Sequence, residues 1–128
     1  MEKLLGRFAP QIFAVTRILA GVLFACHGAQ KLLPVFGGPM ANKPPLMWAA
    51  GIIELGAGVL IALGLFASLA AFVASGQMAA AYFISHLKQG FWPIQNHGDL
   101  AIMFCFFFLF VAAHGPGTWS LDGLRKKR

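Results

Sequence analysis

Charge is what this chain has least of, and acidic charge above all. Its 128 residues include four Asp or Glu against ten Lys or Arg, and charged residues make up 11% of the whole. A soluble domain carries roughly 25%, and a small chain has too much surface to cover with so few. Water-soluble classes are thereby excluded. Cysteine is nearly as sparse. Cys26 and Cys105 sit in apolar runs and form no CxxC pair, which excludes a thioredoxin-like motif and a cysteine-rich metal site. No metalloprotease-type HExxH spacing occurs, no low-complexity stretch, and no repeat at a period of roughly 20–50 residues.

What is abundant is apolar: 59% of the residues are hydrophobic. The reading that follows is an all-α integral membrane protein, one four-helix bundle over 1–128. Leu46 to Ile84 is the most informative stretch, with Glu54 its one charge. Its about 39 residues make roughly 58 Å of helix, near twice a hydrocarbon core of about 30 Å. Two spans joined by a tight turn near Gly64 to Ala67 are expected. The expected helices cover 9–32, 46–64, 67–86 and 98–114. Pro10 suits a first helical turn, Pro34 followed by Gly37-Gly38-Pro39 ends the first span, and Gly115-Pro116-Gly117 ends the fourth.

The net charge of +6 is not a nucleic-acid signature. Lys3, Arg7 and the run Arg125 to Arg128 flank apolar segments at the two termini, whereas Lys31, Lys43 and Lys88 belong to the loop side. The positive-inside rule then places both termini in the cytoplasm, in a cell (inner or plasma) membrane, with basic ends drawn to anionic lipid. Trp48, Trp92 and Trp119 fall at the expected interfaces. Lys3 and Arg7 before an apolar stretch also suggest a signal peptide, with Leu23-Phe24-Ala25-Cys26 as a faint lipoprotein site. Arg17 interrupts that h-region, so the segment is read as retained.

Polar groups in hydrocarbon need a reason. On the first helix Arg17, Ala20, Gly21, Phe24, His27, Gly28 and Lys31 share one stripe at 100° per residue. On the second, Ala50, Gly51, Glu54, Ala57 and Gly58 form a matching stripe of small residues, so the two faces are expected to meet. Cys26 lies opposite the polar stripe. Counted from the terminal side, Arg17 and Glu54 lie within about 5–6 Å of each other in depth. This predicts a buried Arg17–Glu54 ion pair, either fixing helix register or with one member facing a ligand. A second cluster is expected at the loop end: His27, Lys31 and Asp99 as catalytic candidates, with His86, Asn96 and His97 as ligand-binding candidates. Such histidines beside a carboxylate could hold a metal, ligate a haem or exchange protons with a quinone, or they could simply bond the loops. Gln77 and Tyr82 on the third helix are either helix–helix contacts or ligands.

These residues resemble the DoxX family of small bacterial and archaeal membrane proteins. The resemblance covers nearly the whole chain. It runs through Arg17, Gly21, His27-Gly28-Ala29-Gln30-Lys31-Leu32, Glu54-Leu55-Gly56-Ala57-Gly58, Gly64, Asn96-His97-Gly98-Asp99-Leu100-Ala101 and Gly115-Pro116-Gly117-Thr118-Trp119-Ser120-Leu121-Asp122. At His97-Gly98-Asp99 it departs from the more common Gly-Gly-Glu. The resemblance implies a four-helix membrane bundle. It also implies a quinone-linked redox subunit, with quinone or else haem as cofactor and a protein partner or a second copy beside the lipid bilayer. Other members resemble partners of thiol-redox enzymes or assembly chaperones, so a non-catalytic scaffold is the competing expectation. A solute transporter is a third, weakened by the sparse polar stripe and unbroken helices.

Overall fold

The computed structural model describes residues 1–38 and 43–128. Part of the first loop, including Pro39 of the expected helix stop, therefore lies outside the described residues. Of those described, 80% are helical and none is in a strand. A short α1 (Glu2–Leu5) and a 3-10 turn (Gly6–Phe8) lead into α2 (Ala9–Leu32), followed by α3 (Pro45–Leu63) and α4 (Ala67–Ala81). After α4 come a wider π turn (Tyr82–His86) and a 3-10 turn (Leu87–Gln89). Then follow α5 (Pro93–Asn96), α6 (Asp99–His114) and α7 (Leu121–Lys126). Among the described residues, three helical stretches are long and apolar enough to cross a membrane: Glu2–Leu32, Pro45–Leu63 and Ala67–Gln89. Helix α6 is equally apolar but has 16 residues, roughly 24 Å.

The seam between α2 and α3 sets the register of everything else. A Cβ at Gly28 would stand 2.2 Å from the Leu55 amide nitrogen, and one at Gly58 would stand 2.5 Å from that of Ala25. The two backbones touch, as packing inside a membrane favours, because lipid tails give apolar side chains no reason to associate. Gly28 thus lies over Leu55 and Gly51, and Gly21 over Ala62 and Gly58. Each step forward along α2 is a step back along α3.

The core proper lies between α4 and α6 and is closed by Phe24 from α2. Phe104 stacks on Phe108, and Phe24 meets both at steep angles, with centroid distances of 4.9–5.7 Å, in one core with Ala70, Ala71 and Ala74 of α4. Small residues on α4 let α6 approach, and Ser75 Oγ donates to the Cys105 carbonyl at 2.8 Å across that contact. Outward-facing large side chains such as Leu69, Phe72, Met103 and Phe106 are exposed. An apolar exterior of this kind belongs in lipid.

Candidate functional site

Two polar clusters lie inside the bundle, one at each end, and they divide the residues that the sequence had suggested would pair. Arg17 is fully buried. Its Nη1 donates to the carbonyls of Ile61 (2.6 Å) and Ala62 (2.9 Å), and its Nη2 to those of Trp119 (2.8 Å) and Thr118 (3.4 Å). The guanidinium therefore caps the carbonyl end of α3, where the helix dipole favours a cation, and ties down the segment entering α7. Asp122 completes the joint from the other side. Its carboxylate accepts from the amides of Phe66 and Ala67 at 3.0 Å each, serving the N-terminus of α4 as a cap borrowed from elsewhere in the chain. Its own amide donates to Gly64 at 2.9 Å.

The turn between α3 and α4 depends on this joint. Gly64 has φ +67° and lies so close to Ser120 that a Cβ would come within 2.4 Å of the serine Cβ. Phe66 and Trp119 hold φ of 48° and 54°, a left-handed conformation that costs a bulky residue about 1–2 kcal/mol. The Phe66 amide and the Trp119 carbonyl are among the groups bonded by Asp122 and Arg17. Burial pushes the Asp122 carboxyl up, but the two amides and the charges of Arg125 and Lys126 together outweigh it and hold it below the ordinary value.

The expected Arg17–Glu54 pair is not formed. Side chains lean toward the N-terminus of their own helix, and α2 and α3 run antiparallel. Arg17 therefore leans toward the chain termini, Glu54 toward the loops, and they diverge. Lys31 near the other end of α2 leans inward and meets Glu54. Its Nζ pairs with Glu54 Oε1. Gln77, reaching across from α4, donates to the same oxygen at 3.0 Å. Glu54 is 1% exposed and Lys31 29%. Two further acceptors, Glu54 Oε2 and Gln77 Oε1, are buried with no hydrogen-bond partner among the described residues. Each unsatisfied group of this sort costs about 1–3 kcal/mol. Three elements thus converge on one carboxylate that has an unused oxygen.

The remaining candidates separate. Asn96 is fully buried. Its amide donates to the Gly90 carbonyl (2.9 Å) and the Tyr82 hydroxyl (3.4 Å), and accepts from the Gly98 amide (2.8 Å). The Asn96 carbonyl in turn accepts from His86 Nδ1 at 3.1 Å. These four groups close the loop before α6 upon itself. His27, His97 and Asp99 are exposed, and His97 ends α5 in a left-handed conformation with φ 58°. No group of three His, Cys, Asp or Glu able to hold a metal occurs among the described residues. Cys26 and Cys105 are free thiols.

Sequence reasoning singled out Lys31, Glu54 and Gln77 separately but not together, and it missed the work of Ser120 and Asp122. The signal was present in the spacing. Gly21 and Gly28 are seven residues apart, as are Gly51 and Gly58, and laying the first pair antiparallel on the second sets Lys31 about 9 Å to the loop side of Glu54, a gap that the two side chains, leaning toward each other, close.

Comparison with known proteins gives the family. A protein of Haemophilus influenzae described as uncharacterized is 38% identical over 125 residues, covering 92% of this chain and 93% of its own. An uncharacterized membrane protein of Mycobacterium tuberculosis is 28% identical over 144 residues, covering 98% of this chain and 88% of its own. No solved structure matches the chain. The DoxX family model matches residues 12–87, which takes in Arg17, Lys31, Glu54 and Gln77, and on that match this membrane protein belongs to the DoxX family.

Proposed function

We propose that the chain crosses the cell's inner or plasma membrane four times with both termini in the cytoplasm, and serves as a quinone-linked redox subunit. The topology rests on Lys3, Arg7 and the basic run from Arg125 to Arg128, all on the terminal side. Helix α6, about 24 Å long, falls slightly short of a typical core of about 30 Å, and local thinning of the bilayer accommodates the difference.

The functional reading rests on one observation: Glu54 Oε2 and Gln77 Oε1 are buried acceptors without donors beside the Lys31 ammonium. A quinol dissolves in the bilayer and presents ring hydroxyls. Glu54 accepts a hydrogen bond from such a hydroxyl and is the first stop for its proton. Lys31 balances the carboxylate charge, and Gln77 orients the carboxylate from the opposite side. The electrons of the quinol pass to a redox protein bound alongside, so a protein partner is part of this reading.

Membranes containing the chain and its partner should oxidise added quinol faster than membranes lacking the chain. Glu54→Gln should bring the rate to background at equal folded protein. Equal rates in all three overturn the reading. Fusion of a reporter active only in the cytoplasm to the C-terminus tests the topology.

A second reading, a membrane scaffold or assembly chaperone, draws on the fact that Arg17, Asn96 and Asp122 bond to the chain's own backbone. It predicts a stable protein partner retained in mild detergent and no effect of Glu54→Gln on quinol oxidation.

A further inference from the structure

The open atoms at Glu54 and Gln77 are of one kind, and that bears on which redox form of a ring fits. Glu54 Oε1 is occupied by Lys31 Nζ and Gln77 Nε2. What remains is Oε2 of the carboxylate and Oε1 of the amide, both buried and both acceptors. The orientation of the Gln77 amide is fixed by its neighbour. Turning it over would set its oxygen against Glu54 Oε1, acceptor against acceptor, so the nitrogen faces Glu54 and the oxygen is left over. Among the described residues the cation at the site is Lys31, which donates to the carboxylate; the N–H groups that it and Gln77 Nε2 keep are accepted by a hydroxyl oxygen as well as by a carbonyl, so they do not separate the two redox forms.

A quinone offers carbonyl oxygens, which are acceptors, and would leave both buried atoms without a partner. A hydroquinone offers hydroxyl hydrogens to both. Sites built around buried hydrogen-bonding groups discriminate against a ligand that leaves those groups unpaired. We infer that the Lys31–Glu54–Gln77 site binds the reduced, hydroxyl-bearing form of its ring in preference to the oxidised form. This rests on the quinone-linked reading and sharpens it. Reduced-form preference raises the midpoint potential of the bound couple, by about 30 mV for each tenfold ratio in a two-electron couple.

The test uses the purified full chain in mild detergent without oxygen, with a short-tailed naphthohydroquinone and the matching naphthoquinone as probes in equilibrium dialysis. The hydroquinone should bind tighter by about tenfold or more. Glu54→Gln should bring the two affinities close to equal, and Gln77→Met, at its partly exposed position, should narrow the ratio by removing one of the two acceptors. If Glu54→Gln does not fold, the narrowed ratio in Gln77→Met carries the test. Equal or tighter binding of the quinone by the unaltered chain overturns the inference and leaves the quinone-linked reading standing. A ratio unchanged from that of the unaltered chain in the folded variants also overturns it. Binding of neither ring overturns both.

Discussion

Lys31 and Glu54, on facing antiparallel helices, lean toward each other and pair inside the bundle, and Arg17 leans away from both. The pairing is a consequence of helix direction. A side chain on α2 points toward the termini and one on α3 toward the loops, so a cation meets Glu54 only from the loop side of it.

Removing one partner leaves a buried charge alone. Lys31→Met should destabilise the chain by about 3 kcal/mol, the low end of the range for a broken buried pair because Lys31 is partly open to water. Adding Glu54→Gln to it should recover most of the loss, since the second change removes the stranded charge. Unfolding in detergent against a denaturing surfactant measures both. A single variant as stable as the unaltered chain contradicts the pair.

Arg17 acts at the other end and in another way. Its fork reaches four carbonyls on two segments, which a lysine ammonium cannot do from one point. Arg17→Lys should cost about 2–3 kcal/mol and free the segment from Thr118 to Leu124. Hydrogen exchange should rise there and at the α3–α4 turn first. Unchanged exchange at those amides contradicts the clamp.

Asp122 makes this joint sensitive to acid. Its carboxyl is held below its ordinary value in the folded chain, so the folded state binds the proton less well than the unfolded. The stability it contributes is fully present above the ordinary carboxylate value of about 3.9. It is lost as pH falls from there through the lower folded value. Docking of α7, followed by exchange of the Phe66 and Ala67 amides, should weaken over that interval. In Asp122→Asn the same amides should exchange faster at neutral pH and show no such dependence.

Much of the fold was legible because membrane burial is written in composition. The long apolar run whose one charge is Glu54, with Gly64 near its middle, reads as two helices and a tight turn, since little else satisfies backbone groups in hydrocarbon. The facing stripes of small residues on α2 and α3 were legible for the same reason. The site was less so. Depth counted from helix ends put Arg17 near Glu54, but the N-terminal turns of α2 run past the end of α3, and the count ignored the opposite lean of side chains on antiparallel helices. Asn96 and Asp122 were misjudged or missed because their partners are backbone groups of turns, which no side-chain pattern announces. His27 sits at the edge of its stripe, where a small rotation of the helix decides between interior and lipid; it faces outward.

The central claim is that Glu54, with Lys31 and Gln77, holds a quinone-class ring in the membrane interior. Mass spectrometry of the lipid extracted from the purified chain and from a folded Glu54→Gln variant tests it most directly. The ring, counted as hydroquinone and quinone together in an extract prepared without oxygen, should be retained in near-stoichiometric amount by the unaltered chain and largely lost from the variant. Ring absent from both, or present equally in both, would contradict it.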